Sequence, residues 1–115
     1  MLASSSVSAT PSRGTAARLR QALTTLADGY GRILSHEEKS WASATFAGTR
    51  HRLQMEFEDD TSIAAGERWI ALLPDHEFTL PGQLVADAAI VAVDHEMVPT
   101  QRLRVTAELL LLEEG

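Results

Sequence analysis

A chain of 115 residues, of which 44% are hydrophobic, is large enough for one domain with one core, and this length excludes a second domain. The formal charge of −6 disfavours a nucleic-acid-binding surface, and the lack of cysteine excludes disulfides, thiolate catalysis and Cys-ligated metal centres. No apolar stretch approaches the roughly 20 residues that span a bilayer, and the first 30 residues contain no secretory hydrophobic segment. We therefore expect a cytoplasmic protein, and its nine arginines against one lysine are typical of a high-GC bacterial genome.

The first residues differ in composition from the rest. Residues 1–12 carry no charged side chain and no aromatic residue, and five of them are serines. Such a segment cannot bury enough apolar area to offset the entropy of ordering it. The sequence therefore predicts a disordered tail over residues 1–12 and a single α+β domain over residues 13–115.

An amphipathic helix is predicted next, from Thr15 onward. Large apolar side chains recur at spacings of four and three residues, which places them on one helical stripe. They are Leu19, Leu23, Leu26, Tyr30 and Ile33. Glycines at 29 and 31 disfavour a helix interior, so we expect the helix to end or bend near Asp28. We expect its stripe to pack on one face of a sheet.

An antiparallel sheet of about four to five strands is predicted after Lys39. The alternation of polar and apolar residues indicates strands over 41–46 and 50–58, joined by a turn at Ala47-Gly48. The acidic residues at 56 and 58–60 are interpreted as a solvated strand end and loop. Residues 58–67 are interpreted as a loop with one helical turn, and residues 68–73, which are apolar on both faces, as a central strand.

A long hairpin is predicted at the end of the chain, with arms over 84–96 and 102–113 about a five-residue turn. This turn sets Glu96 opposite Arg102 and Asp94 opposite Arg104, which pairs opposite charges. In that register the core face holds two sets of residues. They are Val85, Asp87, Ala89, Val91, Val93 and His95 on the first arm, and Leu103, Val105, Ala107, Leu109 and Leu111 on the second.

The outward face of this hairpin is also apolar at one end, where Ala86, Ala88 and Ile90 lie against Leu110 and Leu112. A strand with solvent on one side normally alternates, so something is expected to cover this end. The only helix is already assigned to the core face. We therefore expect a homo-oligomer formed through the Leu110/Leu112 face, which Trp41 can join. The alternative is an incidental apolar patch or a different register.

Three polar residues on the predicted core face are candidate ligand-binding residues: His51, Asp87 and His95. A buried imidazole can be tuned as an acid or base, and a buried carboxylate is costly unless it is paired. The alternatives are histidines that bond to backbone or water, and a β-bulge near Ala88-Ala89 or an arginine partner that explains Asp87.

No catalytic, cofactor or metal motif is present. The four histidines lack the spacing of a helical zinc site, and the neighbouring carboxylates point apart on a strand. A metal site assembled from separate strands has no support from spacing. The sequence also lacks a nucleophile elbow and a glycine-rich phosphate loop. We therefore predict no cofactor and no metal, and lean against an enzyme.

Two segments carry a resemblance: SWASATFAGTRHRLQMEF at residues 40–57 and LPDHEFTLPGQLVADA at residues 73–88. The chain resembles a family of small bacterial proteins without an assigned activity, which implies no substrate or cofactor. One helix followed by a long antiparallel meander is similar to cystatin-like α+β rolls, and fold alone does not imply function.

Three functions are compatible with the sequence. The first is a non-enzymatic interaction domain that associates with itself and has no nucleic-acid or membrane partner. The second is a small-ligand-binding protein, or a hydrolase- or isomerase-like enzyme, with a pocket between helix and sheet; it requires the three candidate residues to converge. The third is binding of an acidic partner through the basic N-terminal arginines, which salt would weaken.

Overall fold

The structure, a computed structural model, describes the backbone of residues 4–114 and the side chains of residues 14–114. Its elements, in chain order, are helix α1 (Ser4–Leu26), strands β1 (Arg32–Ala42) and β2 (Ala47–Glu58), helix α2 (Asp60–Leu72), a 3₁₀ turn (Leu73–Asp75), and strands β3 (Gln83–Glu96) and β4 (Arg102–Glu113). The predicted tail over residues 1–12 lies outside the residues whose side chains are described, so it stays a prediction. No helix of the described chain is long and apolar enough to span a membrane.

The predicted α+β class is confirmed. The four strands form one antiparallel sheet in the order β1-β2-β4-β3, with two consecutive hairpins as its halves. Both helices pack on the same side, because side chains of α1 and α2 share one buried cluster with β2 and β4. We call that side of the sheet the helix face and the opposite side the open face.

The predicted amphipathic helix is present, and it ends at Leu26, close to the expected stop near Asp28. Leu19 and Leu23 are fully buried in the core. Asp28 and Gly29 both adopt positive φ angles, which end the helix in the left-handed region that favours glycine. Tyr30, by contrast, lies beyond the helix and is exposed, so the predicted stripe is shorter than expected.

The predicted central strand over residues 68–73 is wrong, because this segment completes helix α2. The Asp59 carboxylate accepts a hydrogen bond from the Ser62 backbone N–H and so caps the helix at its start. Trp69 is fully buried on the inner side of α2, together with Ile63. A helix that is apolar on its packed side can look like a buried strand over a short window.

The long hairpin is confirmed, including both predicted charge pairs, Glu96 with Arg102 and Asp94 with Arg104. Its middle differs from the prediction because β3 carries two register shifts, between Val85 and Asp87 and between Ile90 and Ala92. Each bulge adds one residue, so the faces exchange between the bulges and return to phase after the second.

This exchange corrects the predicted core face of β3. Ala88 and Ile90 lie on the helix face, where they pack against the core, whereas Asp87 and Ala89 lie on the open face. The prediction for β4 holds, since its five core-face residues are all buried. β3 is one of the two edge strands of the sheet, and its Val91 and Val93 are exposed.

Candidate functional site

The three residues predicted to line one pocket do not converge. His51 is buried on the helix face of β2, Asp87 is exposed on the open face, and His95 is exposed near the tip of the long hairpin. His51 is paired with Leu109 of β4 and His95 with Leu103, six residues apart, which is roughly 20 Å along a strand. Only His51 therefore belongs to a cluster of polar side chains.

That cluster lies beneath α1, on the helix face of the β1-β2 hairpin. The Nε2 atom of His36 is 2.8 Å from Nδ1 of His51, and the two rings are tilted by 50°. On the other side of His36, its Nδ1 atom is 3.0 Å from the guanidinium Nη1 of Arg20, which α1 supplies. Glu38 is directly opposite His51 across the hairpin. We call Arg20, His36, Glu38 and His51 the histidine cluster.

A bulge in β1 places two of these residues, His36 and Glu38, on the helix face. The register shifts between Ile33 and Ser35, so that one extra residue is accommodated at Leu34. Beyond this bulge the alternation of β1 is reversed, and His36 and Glu38, two residues apart, share the helix face with His51. Without the bulge they would lie on the open face, away from α1.

Burial favours the neutral form of both imidazoles. His51 is 1% exposed, and this burial, followed by the effect of neighbouring His36, lowers its pKa to about 4. Burial, followed by the positive charge of Arg20, also lowers the pKa of His36. Glu38 opposes both shifts, since its negative charge favours the protonated rings. The cluster thus presents uncharged ring nitrogens beside a carboxylate.

Three members of the histidine cluster, His36, Glu38 and His51, have the donor set of a transition-metal site. One ligand atom from each of His36, Glu38 and His51 can be chosen so that all three lie within 4.8 Å of one another. Two imidazoles and one carboxylate are a recurrent ligand set for zinc and for non-haem iron. The second ring nitrogen of His51, Nε2, is buried and has no hydrogen-bond partner in the described part of the chain.

The sequence contained a partial signal for this cluster. His36 and Glu38 have the i, i+2 spacing that places two side chains on one face of a strand, but they precede the first predicted strand, which begins at Trp41. The bulge at Leu34 determines which face of the sheet His36 and Glu38 occupy, but it has no local signature in the sequence. The same is true of the contact between Arg20 and His36, which are sixteen residues apart in the chain.

Comparison of the chain with protein-family models, with curated proteins and with solved structures finds no match. The resemblance of residues 40–57 and 73–88 to a bacterial family therefore gains no support, and functional inference depends on the geometry of the site.

Proposed function

We propose that this chain is a small binding domain that holds one divalent transition-metal ion between His36, Glu38 and His51. The observation that carries the proposal is the histidine pair, with ring nitrogens 2.8 Å apart and a carboxylate within reach of both. Two nitrogens bound to one tetrahedral zinc ion lie about 3.4 Å apart. The rings therefore need to separate by roughly half an ångström to admit a metal in place of the shared proton.

The ligand chemistry favours a borderline metal over a hard one. Imidazole suits Zn²⁺, Ni²⁺, Co²⁺ and Cu²⁺, whereas Mg²⁺ and Ca²⁺ prefer oxygen ligands. Metal ions bind the neutral imidazole and compete with protons for it. Because burial lowers the pKa of His51 to about 4, proton competition at this ring is small at pH 7. Glu38 supplies negative charge that offsets part of the charge of the ion.

The test is metal binding by the chelator-treated protein. Zn²⁺ affinity is measured by competition with a chromophoric chelator, and Co²⁺ absorption reports the coordination geometry. Glu38→Gln removes the charged ligand at an exposed position, so the fold is expected to persist and the affinity to fall at least tenfold. His36→Gln is expected to abolish binding.

Matched controls come from exposed histidines outside the cluster. His76→Gln and His95→Gln leave all three proposed ligands in place, so their affinity should equal that of the wild type. Circular dichroism of each variant checks that the fold is retained. A Glu38→Gln variant that binds as tightly as the wild type would overturn the proposal. So would the absence of uptake of either ion by both the wild type and Arg20→Met, which removes the guanidinium beside His36.

Self-association is a second candidate function, and the uncovered open face favours it. By register, Trp41, Gly48, Leu112 and Leu84 form one cross-strand row on that face. Leu84 is half exposed, and Leu110 lies one row away and is partly buried. The apolar area is smaller than the sequence predicts, because Ala88 and Ile90 lie on the helix face and Leu112 is only 8% exposed.

Light scattering tests this second candidate directly. A wild-type dimer that becomes a folded monomer on Leu84→Glu and Leu110→Glu substitution would support a second copy of the chain as the partner. A wild-type monomer across the accessible concentration range would exclude it. The metal titration does not depend on this result, since the histidine cluster lies on the opposite face of the sheet.

A further inference from the structure

We propose that Arg20 inhibits metal binding by the histidine cluster, because its guanidinium and a metal ion compete for the same histidine, His36. We call this inhibition the lock. This inference rests on the proposed metal site and adds its regulation. The geometry behind it is a line of three side chains: Arg20 contacts Nδ1 of His36 at 3.0 Å, and His36 in turn contacts Nδ1 of His51 at 2.8 Å through its Nε2 atom.

The hydrogen-bond roles along this line follow from Arg20. A guanidinium has five N–H donors and no acceptor, so Nδ1 of His36 must be the acceptor. A neutral imidazole carries one proton, which then resides on Nε2 of His36 and is donated to Nδ1 of His51. The proton of His51 consequently resides on its own Nε2, the buried atom without a partner among the described residues. Arg20 thereby sets the tautomers of both rings.

This arrangement is incompatible with metal coordination by His36. If the metal binds Nε2, the proton of neutral His36 moves to Nδ1, where it meets an N–H donor of Arg20 and finds no acceptor. If the metal binds Nδ1, it occupies the position of the guanidinium itself. In both cases Arg20 must leave before the ring can serve as a ligand.

Charge acts in the same direction as hydrogen bonding. Arg20 is positive, and its guanidinium lies 3.0 Å from Nδ1 of His36, so it disfavours a second positive charge at that ring. A metal ion at the ring experiences the same repulsion, and the low dielectric of a partly buried site strengthens it. Binding of the metal and release of Arg20 are therefore linked, and by reciprocity a group that draws Arg20 away promotes metal binding.

Substitutions at Arg20 test the lock because the expected Zn²⁺ affinity depends on the charge and hydrogen-bonding capacity of the new side chain. Arg20→Met removes the donor and the charge, so Zn²⁺ affinity should rise at least tenfold. Arg20→Glu also offers an acceptor to the Nδ1 proton of His36, the arrangement found around many zinc-bound histidines, and should raise the affinity further. Arg20→Lys keeps a charged donor and should resemble the wild type. Arg18→Met, at an exposed position of the same helix, is the matched control.

A second measurement needs no metal. Nitrogen-15 NMR of the imidazole rings distinguishes the tautomers in the metal-free protein. We expect the proton of His36 on Nε2 in the wild type and on Nδ1 in Arg20→Glu. A wild-type ring that is protonated on Nδ1 would overturn the lock whatever the titrations show.

The titrations separate the two proposals. Equal Zn²⁺ affinities of the wild type and Arg20→Met would overturn the lock. If His36→Gln at the same time fails to bind Zn²⁺, the proposed metal site is retained. Failure of the wild type and of every Arg20 variant to bind Zn²⁺ or Co²⁺ would overturn both. A rise in affinity in Arg20→Met and Arg20→Glu, absent from Arg20→Lys and Arg18→Met, is the result that the lock requires.

Discussion

The indole N–H of Trp69 donates a hydrogen bond to the backbone carbonyl of Leu23 at 3.1 Å. This bond joins α2 to the last turn of α1, where the Leu23 carbonyl also accepts a hydrogen bond from the backbone N–H of Ala27. Trp69 is fully buried and its ring lies 6.1 Å from that of Phe57, at a tilt of 54°. One side chain therefore fixes both helices and the sheet relative to one another.

Replacement of Trp69 by Phe is expected to lower the free energy of unfolding by about 2 to 4 kcal/mol. The variant loses the hydrogen bond to Leu23 and part of a buried aromatic surface, and it leaves a cavity. Urea denaturation measures the change. A loss below about 1 kcal/mol would show that the two helices are held together without this contact.

Trp69 also shows why α2 was missed in the sequence. Residues 68–73 alone are apolar on both faces, a pattern that a buried strand and a packed helix share. The distinguishing signals lie upstream: Asp59 caps the helix, and Ile63, Gly66 and Trp69 recur at helical spacing. By contrast, the β2 alternation and the charge pairs of the long hairpin span whole elements, and they predicted the faces of β2 and the register near the hairpin tip correctly.

Gly66 allows α2 to approach the sheet closely. A Cβ atom at this position would lie 2.6 Å from the ring of Phe57 and 2.9 Å from a methyl group of Leu103. Alanine normally stabilises a helix by about 1 kcal/mol relative to glycine. Here the overlap with buried neighbours is larger, and we expect Gly66→Ala to destabilise the protein by about 1 to 3 kcal/mol.

The control for Gly66 is Gly14→Ala in α1. A Cβ atom at Gly14 meets no neighbour within 4 Å, so only the helix preference acts there and stability should stay the same or rise slightly. Both variants are compared by urea denaturation. Equal changes at the two positions would mean that the close contact with Phe57 has no energetic consequence.

The candidate site was only partly visible in the sequence for a related reason. His51 was singled out because β2 alternates cleanly, and the structure places it on the predicted face. The sequence does not predict that His36, Glu38 and Arg20 join His51. Their proximity depends on a bulge in β1 and on the position of α1 along that strand. A bulge between Val85 and Asp87 also places Asp87 on the open face, where it is exposed rather than buried as predicted.

Glu56 is a buried carboxylate on the open face, where the sequence predicted a solvated acid. It is 2% exposed and accepts hydrogen bonds from Arg32 at 2.7 Å and Arg104 at 2.8 Å. Hydrogen bonds from Arg32 and then Arg104 lower the pKa of Glu56. We expect Glu56→Gln to destabilise the fold by about 1 to 3 kcal/mol, because the charge-assisted hydrogen bonds from these two arginines are weakened.

The matched control for this prediction is Glu108→Gln. Glu108 accepts a hydrogen bond of 2.9 Å from Arg52 on the same face, but this pair is more exposed. Exposed pairs contribute about 0 to 1 kcal/mol, so the control should change stability little. Similar losses in the two variants would show that burial does not strengthen the Glu56 pairs.

The depressed pKa of His51 makes stability depend on pH in a defined window. In the unfolded chain the ring titrates near 6.5, and in the folded protein at about 4. Between these values the unfolded state binds more protons, so the free energy of unfolding falls as the pH falls from about 6.5 to about 4. Above this window the full contribution is present, and below it no more is lost through this group. We expect a total loss of about 3 kcal/mol.

His51→Leu isolates this effect from other titrations. The variant has no imidazole to protonate, so its stability should fall less steeply between pH 6.5 and pH 5 than that of the wild type. His36, whose pKa is lowered in the same direction, accounts for part of the slope that remains. Stabilisation by Glu56 is lost only at lower pH, as the pH falls below the ordinary glutamate pKa of 4.5. Urea denaturation in the presence of a chelator, with His95→Leu as the exposed control, provides the comparison. A wild-type slope retained in His51→Leu would mean that His51 is not the group that titrates.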